Sequence, residues 1–188
     1  MNTRGRLEKL AKGILDCYEN ARKLIDDAKL LYKHRRYARS VALAIIALEE
    51  FGKAESLYSL INTAMTAKEI KAYVRKIFIN HREKQLAACE REFLRTMKGK
   101  TNFYYHIQVS KNFIEKEKES SLYVDMNSTF DFKSPASIKS DRARKYIAFV
   151  AEKIYEYKFS YKDILDRLME EREWYEDYSK DQSSRNSL

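Results

Sequence analysis

Turn-forming residues are scarce in this chain, with four glycines and one proline in 188 residues. A sheet-rich fold needs them at hairpins and bulges, so such a fold is excluded. Cysteine is equally scarce. Cys17 lies among helix-patterned apolar residues and Cys89 beside Ala87 and Ala88, with no CxxC or Cys/His spacing. Two reduced thiols in or near a core are expected, and no zinc site. The longest apolar run, Val41–Leu48, has eight residues, too short to span a bilayer. The N-terminus lacks the apolar stretch of a signal peptide. A cytoplasmic protein without a membrane partner is expected. Missing too are a glycine-rich phosphate loop, HExxH, a nucleophile elbow and the paired Glu-x-x-His of di-iron bundles. No Asp/Glu cluster suited to Mg²⁺ is evident, so neither metal nor cofactor is expected.

What is abundant is Lys, Glu, Leu, Ala and Arg, a composition that favours long helices. The length suits one domain, which buries about 70% of its unfolded surface and needs no disulfide or metal to fold. Thirty-seven basic and 28 acidic residues leave a net charge of +9, which favours a polyanionic partner, nucleic acid first, whether RNA or DNA.

Periodicity predicts a first helix over about Leu7–Tyr32, with Leu7, Ala11, Ile14, Tyr18, Ala21, Ile25, Ala28 and Tyr32 as its seam. The short connection His34-Arg35-Arg36 predicts an antiparallel return. The second helix, about Tyr37–Ala64, is apolar all round at Val41–Leu48 and should be central. A third helix is expected over about Ala67–Lys98, stopped by Gly99, and a shorter one over roughly Phe103–Lys118. Ser120–Ser140 reads as an ordered irregular loop whose Tyr123, Val124, Phe130 and Phe132 need somewhere to pack. The last helix should begin near Ser140-Asp141, with Ala143, Ile147, Val150, Ile154, Tyr157, Tyr161, Ile164 and Leu168 on its seam and a break near Ser160. Residues 1–178 form the expected domain and the polar stretch 179–188 a disordered tail.

Polar residues interrupt two of these seams. Glu49 and Glu50 lie in the apolar lines of the second helix, with Lys53 one turn from both. Gly52 inside that helix costs about 1 kcal/mol relative to Ala, which points to close approach by another helix or a ligand. On the third helix the line Ile70, Val74, Ile77 continues into His81 and Lys84, with Asn80 and Gln85 beside them. Arg75 lies six residues before His81, about 120° away around a straight helix. It would reach the same pocket only from its edge, through a bend, or across a symmetric dimer. The plainer reading is a buried ion-pair network fixing helix register. The functional one is a polar pocket holding a titratable histidine among cations, suited to phosphate chemistry. His34 reads as a solvated loop residue and His106 as a packing residue. Most of the fourteen tyrosines fall at core spacing.

Asn20-Ala21-Arg22-Lys23-Leu24, Asp27-Ala28-Lys29-Leu30-Leu31, Arg36-Tyr37-Ala38 and Leu48-Glu49-Glu50-Phe51-Gly52-Lys53-Ala54 resemble the AbiV family of phage abortive-infection proteins. His81-Arg82-Glu83-Lys84 matches that family's His-x-x-Lys, and Leu122-Tyr123-Val124-Asp125 followed by Ser134-Pro135 resembles a third piece. The likeness covers about residues 18–165. It implies an all-α, HEPN-like antiparallel bundle of about five helices. Many HEPN proteins are metal-independent, dimeric ribonucleases with an Arg-x(4–6)-His motif. Arg75 to His81 satisfies that spacing, departing from the commonest form in having Lys76 where a polar uncharged residue follows the arginine.

The resemblance thus implies a defence effector acting on RNA as a homodimer, with His81, Arg75 and Lys84 as catalytic groups and Glu49, Glu50, Lys53 and Asn80 as the supporting polar cluster. A phage-encoded activator or a cognate inhibitor protein is a further expected partner. The alternatives are a non-catalytic module that binds a nucleotide, RNA or such an activator, and a dimer whose polar cluster only sets packing.

Overall fold

The computed structural model describes residues 3–60, 67–96, 112–126, 129, 131–155, 160, 162–170 and 172–173. Helix α1, Thr3–Lys33, carries the expected seam inward: Leu7, Ala11, Ile14, Tyr18, Ala21, Ile25 and Ala28 are buried. Arg35 takes a left-handed backbone conformation (φ 58°) and turns the chain into α2, Tyr37–Ser59. The two helices run antiparallel. Ser40 Oγ donates to the Ala28 carbonyl oxygen at 2.9 Å, and farther along Tyr18 meets Phe51 edge-on with ring centroids 5.5 Å apart. Tyr18 also donates its hydroxyl hydrogen to buried Glu55.

As its all-round apolar character predicts, α2 is central. Val41, Ala42, Ala44, Ile45, Ala47 and Leu48 are all buried, and the other main helices pack on it.

The expected third helix is two. Helix α3, Ala67–Ile79, stops at Asn80, and α4, His81–Thr96, starts directly after it. The Asn80 side chain accepts from the Glu83 backbone N–H at 3.3 Å. That is N-cap chemistry, which supplies an acceptor to a first-turn donor of the new helix. Lys76 and Glu83 tie the two helices across the joint at 3.2 Å.

Helix α5, Phe113–Leu122, follows Asn112, which has a left-handed backbone (φ 60°). It covers the later part of the expected short helix and runs four residues past Lys118; residues 103–111 of that expectation lie outside the described residues. The expected irregular loop contains a small antiparallel ladder, β1 (Asp125–Met126) on β2 (Phe132–Lys133), with Asp125 opposite Lys133 and Met126 opposite Phe132. A 3-10 turn over Pro135–Ser137 is capped by Ser134 Oγ. The expectation that this segment's apolar residues pack is corrected. Tyr123, Val124 and Phe132 are 65%, 64% and 72% exposed, because among the described residues no third layer covers the two-residue ladder.

Helix α6, Ser140–Tyr155, buries Ala143, Ile147, Val150 and Ile154 as expected. A break does fall at Ser160. Its Oγ accepts from the Asp163 N–H at 3.2 Å while the Asp163 carboxylate accepts from the Ser160 N–H at 2.8 Å, a reciprocal cap that opens the helical stretch 162–170. Ile164 and Leu168 are buried there. The expected end of the second helix at Ala64, the Gly99 stop, His106, Phe130, Tyr157, Tyr161 and the tail 179–188 lie outside the described residues. Among the described residues no helix is long and apolar enough to cross a membrane. Cys17 and Cys89 are both buried.

Candidate functional site

A carboxylate inside a helical core must be paired or neutralised. Glu49, at the middle of α2, has a side chain only 4% exposed, and α4 and α5 bring it four donors. Oε1 accepts from Gln85 Nε2 at 3.0 Å and Lys118 Nζ at 2.8 Å. Oε2 faces Lys84 Nζ at 3.3 Å and His81 Nδ1 at 2.6 Å. Four donors fill the lone-pair capacity of a carboxylate. Burial pushes the Glu49 pKa up, but the hydrogen bonds from Lys118, His81 and Gln85 and the Lys118 charge outweigh it and hold the carboxyl below its ordinary value.

The network continues on α5. Lys118 also meets Glu115 at 2.9 Å, and Gln85 donates to Glu115 at 3.0 Å. Burial lowers the Lys118 pKa, yet the Glu49 and Glu115 carboxylates leave it raised.

Gly52 explains how α4 comes so near. A Cβ there would lie 1.8 Å from the Lys84 carbonyl oxygen and 2.7 Å from its carbonyl carbon. Only glycine lets the α4 backbone touch α2 at this point, and the contact places Lys84 and Gln85 over Glu49.

His81 is the one member of the network that opens outward. It is the first residue of α4, set by the Asn80 cap, and its side chain is 51% exposed. Its partner oxygen belongs to an ionised carboxylate, which only accepts, so Nδ1 carries the hydrogen. In the neutral ring the Nε2 lone pair then remains for another proton.

Apart from Lys84, which belongs to the network, the remaining expected site residues are dispersed. Glu50 and Lys53 pair with each other on α2, and the Lys53 ammonium lies 5.2 Å from the Phe78 ring centroid. Lys84 is buried, its ammonium turned to Glu49. Arg75 is exposed on α3, beyond the Asn80 joint from His81. Sequence reasoning missed Glu115 and Lys118. Their segment, Glu115-Lys116-Glu117-Lys118-Glu119, alternates charge like a solvated face. The one cue is Ile114, which together with Glu117, Lys118 and Ser121 makes an i, i+3, i+4, i+7 buried stripe.

Glu49, His81 and Glu115 offer ligand atoms within 4.8 Å of one another. This trio was not expected from the sequence. A divalent ion seated there would have to displace the Lys118 ammonium, which already bridges the two carboxylates.

Helices packed on one central helix, with a glutamate–lysine–histidine network between them, take their class from the family match: this is a HEPN-type helical domain. The family model HEPN_AbiV, described as AbiV, matches residues 9–156, and the chain belongs to that family. Its function lies accordingly in abortive-infection defence against phage. No curated protein and no solved structure matches the chain.

Proposed function

We propose that the protein is a metal-independent endoribonuclease that acts as a homodimer, with His81 as the group that moves the proton. The observation that carries this reading is the docking of the ring, with Nδ1 bound to buried Glu49 and the other half open. A carboxylate on Nδ1 fixes the tautomer and orientation that a general base needs at Nε2.

In the reaction Nε2 takes the proton of a ribose 2′-hydroxyl, the 2′-oxygen bonds to the adjacent phosphorus, and the bond from phosphorus to the 5′-oxygen breaks. A second copy's imidazolium returns a proton to that leaving oxygen. The products are a 2′,3′-cyclic phosphate and a 5′-hydroxyl. Such proton transfer contributes typically about 10²–10⁴-fold. Arg75, exposed on the α3 side of the joint, supplies positive charge to the phosphorane-like transition state. Lys84 is a positioning residue here, since its ammonium is held by Glu49. Glu49 and Asn80 position the ring; Glu50 and Lys53 brace α2 beside it.

Incubating the full chain with total RNA in EDTA tests this. Cleavage leaving 2′,3′-cyclic ends, abolished by His81→Ala, is the expected result. Cleavage unchanged by that substitution refutes it.

A second reading has its own support. Glu49 is saturated and Lys84 and Lys118 are turned inward, as in a module that binds RNA, a nucleotide or a phage-encoded activator without catalysis. An RNA-dependent rise in melting temperature with no cleavage would select it.

A further inference from the structure

His81 is held through Glu49, and Glu49 is itself held from α5. The ring takes Oε2, while Lys118 and Gln85 take Oε1 at 2.8 and 3.0 Å. The last torsion of a glutamate is broad, so a carboxylate held at one oxygen turns at small cost. Donors on Oε1 fix the plane of the group and hence the place of Oε2. Lys118 is the nearer of the two ammoniums at Glu49, Lys84 lying 3.3 Å from Oε2.

The fold seats Lys118 for this contact. Ile114, Glu117, Lys118 and Ser121 form the buried stripe of α5, and Arg142 of α6 pairs with the Glu117 carboxylate. The Lys118 side chain is 10% exposed. A buried ammonium needs a carboxylate, and this one has two, Glu49 at 2.8 Å and Glu115 at 2.9 Å.

Charge in the network is balanced, with Glu49 and Glu115 against Lys84 and Lys118. Gln85 also bridges both carboxylates, but an amide carries no charge to offset theirs. Without Lys118, two like charges would face each other across that amide, and carboxylates so placed take up a proton. Glu49 is the more buried, its side chain 4% exposed against 17% for Glu115, so burial favours the neutral form there. Burial already pushes the Glu49 carboxyl up, and the Lys118 hydrogen bond leads the effects that oppose it. A protonated Glu49 would donate where it now accepts. Nδ1 would then be the acceptor and the ring hydrogen would pass to Nε2, filling the lone pair that takes the 2′-hydroxyl proton.

We propose that Lys118 is a positioning residue for His81: by bridging Glu49 and Glu115 from α5, it keeps Glu49 the acceptor that holds the ring hydrogen on Nδ1. Lys118 acts through Glu49 and touches neither the ring nitrogen nor the RNA in this scheme. The proposal rests on His81 as the group that moves the proton, and its test separates the two readings.

Nitrogen-15 spectra of the histidine rings, RNA cleavage in EDTA and thermal melts are compared for the full wild-type chain, Lys118→Met, and Lys118→Met with Glu115→Gln. At a pH where the wild-type ring is neutral, Lys118→Met should put the His81 hydrogen on Nε2. It should also lower kcat by about tenfold or more, a share of the about 10²–10⁴-fold that positioned proton transfer supplies, with KM little changed. The paired variant removes one carboxylate along with the cation, so it should return the hydrogen to Nδ1 and recover much of kcat. A role in packing alone predicts the reverse, since two altered side chains disturb α5 more than one. Where Lys118→Met fails to fold, the paired variant decides. A wild-type ring without its hydrogen on Nδ1, a Lys118→Met ring that keeps it there, or a paired variant that loses it overturns the proposal. Absence of cleavage by the wild type refutes the ribonuclease reading and leaves the ring spectra to decide this one.

Discussion

Replacing Gly52 with alanine should damage both stability and site. The new methyl would sit 1.8 Å from the Lys84 carbonyl oxygen and 3.2 Å from its Cα. Ordinary contact begins near roughly 3.5 Å, so α4 must retreat by roughly 1.5 Å. Backbone cannot rotate aside as a side chain can. That retreat carries the His81 contact of 2.6 Å and the Lys84 contact of 3.3 Å out of hydrogen-bond range. Overpacking of this kind costs about 1–3 kcal/mol, and the lost polar contacts add to it, while alanine's helix preference offsets about 1 kcal/mol.

The net is about 2 kcal/mol, or a fall of about 4–8 °C in Tm for a chain of this length. Gly13 provides the contrast. A Cβ there meets only the Leu57 side chain, at 3.4 Å, so Gly13→Ala should be neutral or raise Tm. Thermal melts followed by circular dichroism read both. A Gly52→Ala chain as stable as wild type would refute the close packing of α4 on α2.

Further outcomes follow from the same network. Glu49→Leu leaves the buried Lys84 ammonium without its carboxylate and should cost about 3–5 kcal/mol, whereas the double variant Glu49→Leu with Lys84→Met should recover much of the loss; denaturant titration measures both. The Glu49 carboxyl is held below its ordinary value of 4.5. Below that ordinary value the unfolded chain binds more protons than the folded one, so the Glu49 contribution is present above pH 4.5 and lost as pH falls through the folded value. Melts across the acid range should show this loss, and Glu49→Gln should flatten it. Asn80→Ala removes the α4 cap and should destabilise by about 0.5–2 kcal/mol, with an accompanying loss of whatever activity His81 supports. Burial pushes the Cys17 thiol up to about 11, so iodoacetamide at pH 8 should spare it in the folded chain and label it in denaturant, as mass spectrometry would detect.

How far the sequence could be read depended on where each side chain finds its partner. The seams of α1 and α6 were legible because apolar spacing reports directly on burial. Gly52 and the polar interruptions at Glu49 and Lys84 were legible for the converse reason, since a glycine or a charge in an apolar line demands an explanation. The Asn80 joint was hidden. Asparagine is only mildly unfavourable in a helix, and the seam's register runs on past it from Ile77 through His81 and Lys84 to Ala88. Lys118 was hidden because its partner Glu49 is 69 residues away in the chain, and Glu115 because it joins through Lys118 and through Gln85, 30 residues away; charge alternation looks the same beside water as beside a buried carboxylate. Tyr123, Val124 and Phe132 misled in the other direction, because β-prone apolar residues imply a covering layer that, among the described residues, the ladder lacks.

Nitrogen-15 correlation spectra of the histidine rings offer the most direct measurement. The chain has only three histidines, and His81→Ala assigns the relevant one. At a pH where the ring is neutral, His81 should show its hydrogen on Nδ1, and Glu49→Gln should weaken that preference. A His81 ring protonated on Nε2, or one indifferent to Glu49, would contradict the account.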